Sequence, residues 1–321
     1  MDDFEIALRP TPVQRMEALA EALGTEAVLI VKRDDLTGLA LGGNKARKLA
    51  ALAVDAIAQG ADCLVTGGGR QSNHARITAA AARRVGLECH LTLGGDPADT
   101  RDGNLLVDEL LGAHLHFDSA TDYYGIEAAI TALAERLRTE GHSPYAIPVG
   151  GASTTGVAAY ACAIEELREQ LTRDPDWMIV ADGSGGTHAG LLAGLGVESP
   201  TRVLGVDVGT RPDLESAVPE LALDAAIHLR LGPPNNVVMI DHDHIGAGYG
   251  ELSGACLDAL RLAARSEGLV LDPVYSGKAM AALMTAVGDG RIGRGDTVVF
   301  WATGGSPALF ARRYEAQLTT P

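Results

Sequence analysis

The chain has 321 residues, and its 42 Asp and Glu against 26 Lys and Arg give a formal net charge of −16 at pH 7. That excess of negative charge repels phosphate backbones and anionic lipids, which argues against nucleic acids and membranes as partners. The length is enough for two domains, or one large one, with a sizeable core.

The sequence shows no targeting segment, membrane segment or disulfide framework. Its first residues, Met1-Asp2-Asp3-Phe4-Glu5, are acidic and have neither the basic nor the apolar region of a signal peptide. No apolar run approaches the roughly 20 residues of a membrane helix, so we expect a cytoplasmic protein. Buried, reduced thiols are expected because the cysteines are well separated and three lie in apolar runs: Cys63, Cys89, Cys162 and Cys256.

Short β-rich runs alternate with helical patterns along almost the whole chain. Strands are predicted, in order, over 28–32, 63–66, 89–93, 114–117, 145–148, 178–181, 203–208, 237–240 and 297–301. Helices are predicted between them over 45–59, 73–85, 126–139, 155–171, 252–266 and 277–287. This alternation is typical of parallel β-α units whose helices cover both faces of a sheet.

The fold class that follows is α/β, with two parallel-sheet αβα domains, because nine or more strands suit two sheets better than one. We expect a larger domain over 1–47 and 159–321, and a smaller inserted domain over 48–158. The least regular stretch is 211–236, which carries Pro212, Pro219, Pro233 and Pro234.

Two glycine-rich turns between a strand and a helix suggest a cofactor. Lys45 follows Gly42-Gly43-Asn44 at the start of a helix, where its amine can form an imine with a carbonyl cofactor. The turn Gly183-Ser184-Gly185-Gly186-Thr187 opens another helix, where free N–H groups and the helix dipole favour a phosphate. Neither turn has the spacing of a dinucleotide fingerprint or a P-loop. The pair therefore suggests pyridoxal 5'-phosphate (PLP).

Three further turns that precede helices carry polar side chains. In the turn Gln71-Ser72-Asn73-His74, Ser72 and Asn73 suit helix caps, but they can equally help to hold a substrate carboxylate. Tyr275 and Ser276 precede another helix, and Thr303 ends the last strand. Ligands collect at the carboxyl ends of strands in open α/β sheets, so we expect all five turns to form one site.

Taken in order, five motifs resemble one known family: G-G-N-K-x-R-K-L, Q-S-N-H-x-R, G-S-G-G-T-H-A-G, L-D-P-V-Y-x-G-K-A-M and T-G-G-x-P-A-L-F. The chain is similar to the D-cysteine desulfhydrase / 1-aminocyclopropane-1-carboxylate (ACC) deaminase family. Its members are PLP enzymes of fold type II, the fold of the tryptophan synthase β subunit. The resemblance implies a homodimer that acts on a small amino acid.

The same resemblance implies roles for individual residues. Lys45 would be the Schiff-base lysine, Asn73 would contact the cofactor ring, and the loop 183–187 would hold the phosphate. Ser72, Tyr275 and Tyr249 would act on the substrate.

Two positions separate the branches of this family. The deaminases carry Glu directly after the tyrosine of D-P-V-Y and Leu before the last Gly-Gly, whereas Ser276 and Thr303 resemble the desulfhydrase pattern. Two neutral hydroxyls near the pyridine nitrogen favour its protonation less than a carboxylate does, which makes the ring a weaker electron sink. A thiolate, whose conjugate acid has a pKa of about 8.5, leaves more readily than carbon. We therefore expect a carbon–sulfur lyase that converts D-cysteine to pyruvate, sulfide and ammonia.

Alternatives stay open at this point. An ACC deaminase would open a cyclopropane ring to give 2-oxobutyrate and ammonia. An L-cysteate sulfo-lyase is the second alternative, because Arg70 beside the carboxylate loop suits a sulfonate, although it can also form a surface salt bridge. A non-catalytic sensor of PLP or an amino acid is the third.

Histidine-rich segments elsewhere in the chain do not predict a metal site. In Asp241-His242-Asp243-His244, alternation along a strand sends the histidines to one face and the carboxylates to the other. His114 and His116 are expected to pack or to form hydrogen bonds on one face of a strand.

Overall fold

The structure is a computed structural model that describes residues 5–97 and 100–319. Residues 1–4, whose two aspartates partly support the expectation that there is no signal peptide, lie outside the described residues. Within these two ranges, no helix has both the length and the apolar character needed to cross a membrane.

Ten strands form two sheets in the described ranges. In chain order they are β1 Val13–Arg15, β2 Val28–Lys32, β3 Cys63–Gly68, β4 Glu88–Gly94, β5 His114–Asp118, β6 Pro144–Ala146, β7 Trp177–Asp182, β8 Arg202–Asp207, β9 Val238–Asp241 and β10 Thr297–Trp301. The six-stranded sheet has the order β1-β2-β10-β7-β8-β9, and the four-stranded sheet has the order β5-β4-β3-β6. All pairs are parallel except β1 with β2.

Helices cover both sheets. In chain order they are α1 Glu17–Leu23, α2 Lys45–Ala58, α3 Asn73–Val85, α4 Gly103–Leu110, α5 Tyr123–Thr139, α6 Thr154–Gln170, α7 Gly186–Leu195, α8 Leu214–Leu229, α9 Gly254–Glu267, α10 Ser276–Gly288 and α11 Arg312–Thr319. Short 3-10 turns lie at Asp34–Leu36, Leu39–Leu41, Val149–Gly151 and Ser306–Phe310. Separate apolar cores line the two faces of the larger sheet, while the smaller sheet packs on α2 and α3 at one face and on α5 at the other.

The structure confirms the predicted fold class. Each predicted strand and helix is present with its ends within three residues of the expected positions. Cys63, Cys89 and Cys256 are buried free thiols as predicted, whereas Cys162 is free but exposed, so the prediction of burial was wrong for this residue. The four-stranded sheet lies within the range 48–158, and the division into two domains at those boundaries stays a prediction.

The stretch 211–236, predicted as the least regular, contains the sixteen-residue helix α8. Pro219 lies in its second turn, where it removes one backbone hydrogen bond. The helix nevertheless forms because it buries an apolar face mainly against α6 and α7. That face includes Leu214, Ala217, Val218 and Ala222. Burial of that face outweighs the unfavourable helix propensity of a single proline.

A buried ion network fixes the start of α2. The Arg47 guanidinium donates to both oxygens of Asp34, at 2.8 and 3.0 Å, and to both oxygens of Glu166 on α6, at 2.8 Å each. Lys32 donates to the same Glu166 carboxylate, and the Trp301 indole donates to Asp34 at 2.9 Å. Asp34 is completely buried. The network therefore joins β2, α2, α6 and β10 at one point.

Burial alone would raise the pKa of both carboxyls in this network. For Asp34, the positive charge and hydrogen bonds of Arg47 outweigh that effect and hold its pKa below the usual range. The hydrogen bonds from Arg47 and Lys32 likewise lower the pKa of Glu166 to about 2. Both carboxyls are thus ionised at neutral pH, and the buried negative charges depend on Arg47.

We expect Arg47→Met to lower the free energy of unfolding by about 3–5 kcal/mol at pH 7, because it leaves Asp34 as an uncompensated buried charge. Urea denaturation followed by circular dichroism measures this loss. The carboxyl pKa values are lower in the folded protein, so the network stabilises it above the unfolded pKa values. That stabilisation disappears as the pH falls towards about 2, the folded pKa of Glu166. The difference between the two proteins should therefore shrink in acid.

The matched control for this variant is Arg291→Met. Arg291 forms a half-exposed pair with Asp289 at 2.8 Å, and such pairs contribute at most about 1 kcal/mol. An equal loss in both variants would show that Arg47 has no special place in the fold.

Candidate active site

A cavity of about 180 Å³ is lined by residues from both sheets, and all five predicted turns contribute to it. The predicted site residues among its lining are Lys45, Ser72, Asn73, His74, Gly183, Ser184, Tyr249, Tyr275 and Thr303. Five other predicted site residues do not line it: Gln71, Gly185, Gly186, Thr187 and Ser276. Four of the turns follow the carboxyl end of a parallel strand, which brings them to one edge of the sheets, whereas the turn of Tyr275 connects α9 to α10.

Lys45, the first residue of α2, reaches this cavity through a turn that requires glycine. Gly42 and Gly43 have φ values of 72° and 126°, and a Cβ on Gly42 would lie 1.9 Å from the carbonyl oxygen of Asp35. Burial, partly offset by the negative charge of Asp182, lowers the pKa of Lys45 to about 8. A substantial fraction of the amine is therefore neutral near physiological pH, and the neutral amine is the form that attacks a carbonyl.

The start of α7 forms a cradle in which side chains are excluded. A Cβ on Gly186 would lie 2.6 Å from the Nζ of Lys48 and 3.1 Å from the Cα of Ala152. Gly185 has a φ of 81°, and a Cβ on Gly150 would lie 2.4 Å from the Oγ of Ser184. Main-chain N–H groups at this helix start are thus accessible to an anion.

Two polar side chains of the segment 44–48 support this cradle, and neither was predicted. The Nδ2 of Asn44 donates to the Oγ1 of Thr187 at 2.9 Å. Lys48 donates to the carbonyl oxygen of Gly150 at 3.2 Å, and burial together with the charge of Lys45 lowers its pKa well below the usual range. The spacing of Lys48 three residues after Lys45 places both on one helix face, which was the available signal.

The turn before α3 holds its polar groups in fixed orientations. Ser72 caps the helix, since its Oγ accepts from the N–H of Ala75 at 3.2 Å. The amide oxygen of Asn73 accepts from Asn104 at 3.0 Å and from Arg76 at 3.3 Å. The NH2 group of Asn73 is therefore the donor that this side chain has left for the cavity.

The hydrogen bonds of His74 define which of its nitrogens carries the proton. The hydroxyl of Thr66 donates its one proton to the carbonyl oxygen of Ile147 at 2.8 Å, so it accepts from the Nε2 of His74 at 2.9 Å. The Nδ1 of His74 is a buried acceptor without a partner among the described residues. Burial, with the charges of Lys45 and Lys48, lowers the pKa of His74 well below its ordinary value. His74 is thus a neutral acceptor.

Two tyrosines line the same cavity as Lys45. The hydroxyls of Tyr249 and Tyr275 lie 2.7 Å apart. Burial raises the pKa of Tyr249 to about 12 and that of Tyr275 well above its ordinary value. Lys278 supports the loop of Tyr249 by donating to the carbonyl oxygens of Ile245 and Gly248. Both tyrosines are neutral near pH 7, so they can donate or position a proton but not remove one.

Ser276 does not line the cavity, and its hydroxyl is hydrogen-bonded to a carboxylate. Its hydroxyl donates to the Oδ1 of Asp272 at 2.6 Å. Asp272 also accepts from the N–H groups of Val274, Tyr275 and Ser276. The side chain beside Ser276, which with Thr303 forms the predicted pair of neutral hydroxyls, is thus a carboxylate that the sequence did not predict. Asp272 was identifiable only as part of the D-P-V-Y motif.

Arg70 and Gln71 line an adjoining cavity. The Nη2 of Arg70 donates to the carbonyl oxygen of Asp96, and no salt bridge involves Arg70 within residues 5–97 and 100–319. The side chain of Gln71 bonds to the N–H of Asn104 at 2.8 Å and to Asp102 at 3.1 Å. Gln71 therefore holds the start of α4, and a direct role in substrate binding stays a prediction.

The segment 241–244 differs from the expected alternating strand. Strand β9 ends at Asp241, so the alternation does not extend through the two histidines. His242 instead contacts Asp207 at 2.9 Å and Glu215 at 2.6 Å, and His244 contacts Asp241 at 2.7 Å. The histidines are thus paired with carboxylates, and the argument from strand alternation was wrong.

The fold has two mainly parallel sheets, and the site between their turns combines a reactive amine with an anion cradle. These features are typical of α/β enzymes that use a phosphorylated carbonyl cofactor. Comparison with known proteins identifies the family within that class. The family described as "Pyridoxal-phosphate dependent enzyme" matches residues 5–304. The chain belongs to this family, and PLP is its cofactor.

Individual relatives agree with this assignment. The chain is 40% identical to the D-cysteine desulfhydrase of Serratia proteamaculans over 314 residues, which cover 94% of this chain and 93% of the relative. A crystal structure of an ACC deaminase homologue has a TM-score of 0.90 at 35% identity and covers 98% of this chain and 94% of its own. These matches confirm the predicted family resemblance.

A more distant solved structure supports the fold alone. A fungal L-serine ammonia-lyase from Rhizomucor miehei has a TM-score of 0.68 at 18% identity, with 96% of each chain covered. The likeness extends over nearly the whole length of both chains, which agrees with the predicted fold type II.

Proposed function

We propose that this protein is a PLP-dependent carbon–sulfur lyase that converts D-cysteine and water to pyruvate, sulfide and ammonia. The observation that carries the proposal is the enclosure of the Lys45 amine in one cavity with Ser72, Tyr249 and Tyr275. The relative named D-cysteine desulfhydrase, at 40% identity over nearly the full chain, supports the choice of substrate.

The residues around the cavity fit the cofactor. The N–H groups of the loop 183–187 and the Nζ of Lys48 would hold its phosphate, because the space beside Lys48 is one that a Cβ on Gly186 would fill. Lys45 would bond to its aldehyde carbon, and Asn73 and Thr303, which line the cavity, would face its ring. When bound, PLP supplies an electron sink for the negative charge that develops at the substrate Cα.

The residues of the chain then divide the proton transfers among themselves. The Nζ of Lys45, with a pKa of about 8, is suited to take the proton from the substrate Cα and to hold it. The Oγ of Ser72 and the N–H groups at the start of α3 would bind the substrate carboxylate. The neutral hydroxyl of Tyr275, hydrogen-bonded to Tyr249, can donate to the leaving sulfur.

A second candidate function is the opening of the cyclopropane ring of ACC. One observation favours it. Asp272 lies one hydrogen bond behind Ser276, at 2.6 Å, so a carboxylate is present near the place where the deaminases carry Glu. The high similarity to a solved ACC deaminase homologue, with a TM-score of 0.90, is consistent with this alternative.

A product assay distinguishes these functions. We expect the purified holoenzyme to release sulfide and pyruvate in equal amounts from D-cysteine, and more slowly, if at all, from L-cysteine. Incubation with ACC should give no 2-oxobutyrate, and incubation with L-cysteate should give no sulfite. The Lys45→Ala variant should lose activity by about 10³-fold or more, since it lacks both the covalent attachment and the base.

Borohydride reduction serves as the control for cofactor attachment. It should fix PLP to the peptide that contains Lys45 in the wild type, and it should fix none in Lys45→Ala. Formation of 2-oxobutyrate from ACC, without sulfide from D-cysteine, would establish the second candidate instead.

The cradle at the start of α7 provides a separate prediction. In Gly186→Ala the new methyl group would displace Lys48 or Ala152, so the affinity for PLP should fall by at least the tenfold that corresponds to about 1.4 kcal/mol. Absorbance titration of the apoenzyme with PLP measures this change. The control is Gly254→Ala, since Gly254 is also the first residue of a helix but has open space around it. Equal PLP affinity in the two variants would exclude the cradle as the phosphate site.

We also propose that the chain forms a homodimer through exposed apolar side chains on α4 and on the 3-10 turn at 306–310. Leu110 on α4 is 82% exposed, and Phe310 in the 3-10 turn at 306–310 is 76% exposed. These two elements pack together. Exposed apolar groups on adjoining elements are typical of protein interfaces. We expect light scattering to give a dimer for the wild type and a monomer for Phe310→Asp, while Ile227→Asp on α8 stays dimeric. A monomeric wild type would contradict the proposal.

A further inference from the structure

A cluster of histidines lies on the smaller sheet, away from the active-site cavity. Glu88 and His90 are on β4, and His114 and His116 are on the adjoining strand β5. The parallel register places His90 beside His114. Glu88 and His90 lie near the start of β4, whereas the cavity is at the carboxyl ends of the strands. The mechanism uses none of these residues.

Three side chains of this cluster direct ligand atoms to one point. The Oε2 of Glu88 lies 3.6 Å from the Nε2 of His90 and 4.0 Å from the Nε2 of His114. The three atoms all lie within 4.8 Å of one another. Bonds of about 2.0–2.2 Å around a tetrahedral zinc ion place ligand atoms about 3.4 Å apart. Glu88 and His114 are each about half exposed, so small side-chain rotations can close the difference.

The buried nitrogen of His90 is a second and independent observation. Its side chain is only 8% exposed, and its Nε2 has no hydrogen-bond partner among the described residues. An unpaired buried polar group of this kind costs about 1–3 kcal/mol, so it calls for an explanation in the fold. A ligand held between His90, His114 and Glu88 would satisfy it.

We propose that Glu88, His90 and His114 bind a divalent transition metal ion such as Zn²⁺. Two imidazoles and one carboxylate are a ligand set that this ion accepts, with its fourth position occupied by water. The i, i+2 spacing of Glu88 and His90 puts both on one face of β4, and the third ligand comes from the neighbouring strand. The sequence predicted no metal here, because only the pairing of β4 with β5 assembles the three ligands.

Hydrogen bonds behind the ligands show how the metal-free cluster is held. The Nη2 of Arg136 donates to the Nδ1 of His116 at 3.1 Å, since a guanidinium has only donors. The proton of neutral His116 is then on Nε2 and is donated to the Nδ1 of His90 at 3.1 Å. His90 consequently carries its own proton on Nε2, directed towards Glu88.

Metal binding reverses this chain of donors. To bind the metal, the Nε2 of His90 releases its proton to solvent, and its Nδ1 takes the proton from the Nε2 of His116 and donates it back to that atom, as ligating histidines ordinarily do to a second partner. His116 then takes one proton from solvent on its Nδ1, so Arg136 has to release that atom. Arg136 is about half exposed, and its Nε lies 3.7 Å from the carboxylate of Glu140, which provides an alternative partner. Arg136 therefore opposes metal binding.

Calorimetric titration of the holoenzyme with ZnCl2, in a buffer without phosphate, tests the proposal. We expect one site that is lost or weakened at least about 30-fold in His114→Gln, since losing even an outer partner costs about 10–100-fold. Arg136→Gln should bind Zn²⁺ more tightly than the wild type. Absorption of Co²⁺ in the visible range, with a tetrahedral band in the wild type and none in His114→Gln, reports on the ligands directly.

Two control variants separate this site from others. His228→Gln, an exposed histidine on α8, should bind Zn²⁺ like the wild type. His142→Gln should also keep the site, although His142 belongs to a neighbouring group with Asp62 and Cys63. Unchanged binding in His114→Gln, or no binding in the wild type, would overturn the metal site. Weaker binding in Arg136→Gln would overturn the donor chain behind it.

Discussion

The fold and the active site both depend on the contact of Arg47 with two buried carboxylates. Arg47 is two residues after Lys45, and on a helix this separation directs the two side chains to different faces. Arg47 is bound between Asp34 and Glu166, at 2.8 Å from each, while Lys45 and Lys48 face the cavity and the cradle. A single helical turn thus anchors α2 in the core and holds two amines at the site. Because the buried charges are paired, the turn has one well-defined orientation.

That orientation produces an electrostatic arrangement that favours an anion. Lys45 and Lys48 lie near each other in a region of low dielectric, and burial lowers the pKa of both amines. Asp182 partly compensates their charge, but it is held by the Nδ1 of His188 at 2.8 Å. A phosphate at the start of α7 would add negative charge beside Lys48 and would favour its protonated form. The cradle is therefore suited to a phosphorylated cofactor before any substrate is present.

Much of this site could be predicted from the sequence because parallel strands end at a common edge. Once the alternation of strands and helices is recognised, turns as distant as those of Lys45 and Thr303 are expected to meet. Residues such as Lys48 and Asp272 were harder to identify, since their roles depend on the direction of a side chain behind the turn. Helix α8 was missed because burial of its apolar face outweighs the effect of Pro219, and packing of that kind is not visible in local propensity.

The histidine cluster on the smaller sheet could likewise be predicted only in part from the sequence. His114 and His116 were expected to pack or to form hydrogen bonds on a strand face, and the structure confirms this. His114 stacks on His90 with ring centroids 4.6 Å apart, and His116 forms a hydrogen bond with the Nδ1 of His90. What the sequence could not show is that Glu88 and His90, twenty-four or more residues earlier, are on the adjoining strand. Pairing between strands brings together ligands that no spacing rule associates.

The choice between D-cysteine and ACC depends on how strongly Asp272 acts through Ser276. Asp272 is completely buried, and burial raises its pKa, so any charge it carries must be stabilised locally. Three N–H groups at the start of α10 and the hydroxyl of Ser276 provide that stabilisation. Since the start of α10 already offsets the negative charge of Asp272, that charge has little electrostatic effect on the far side of Ser276. A carboxylate in direct contact with the pyridine nitrogen, as the deaminase pattern implies, would act far more strongly. The arrangement found here therefore favours the weaker electron sink, which suffices for a thiolate leaving group.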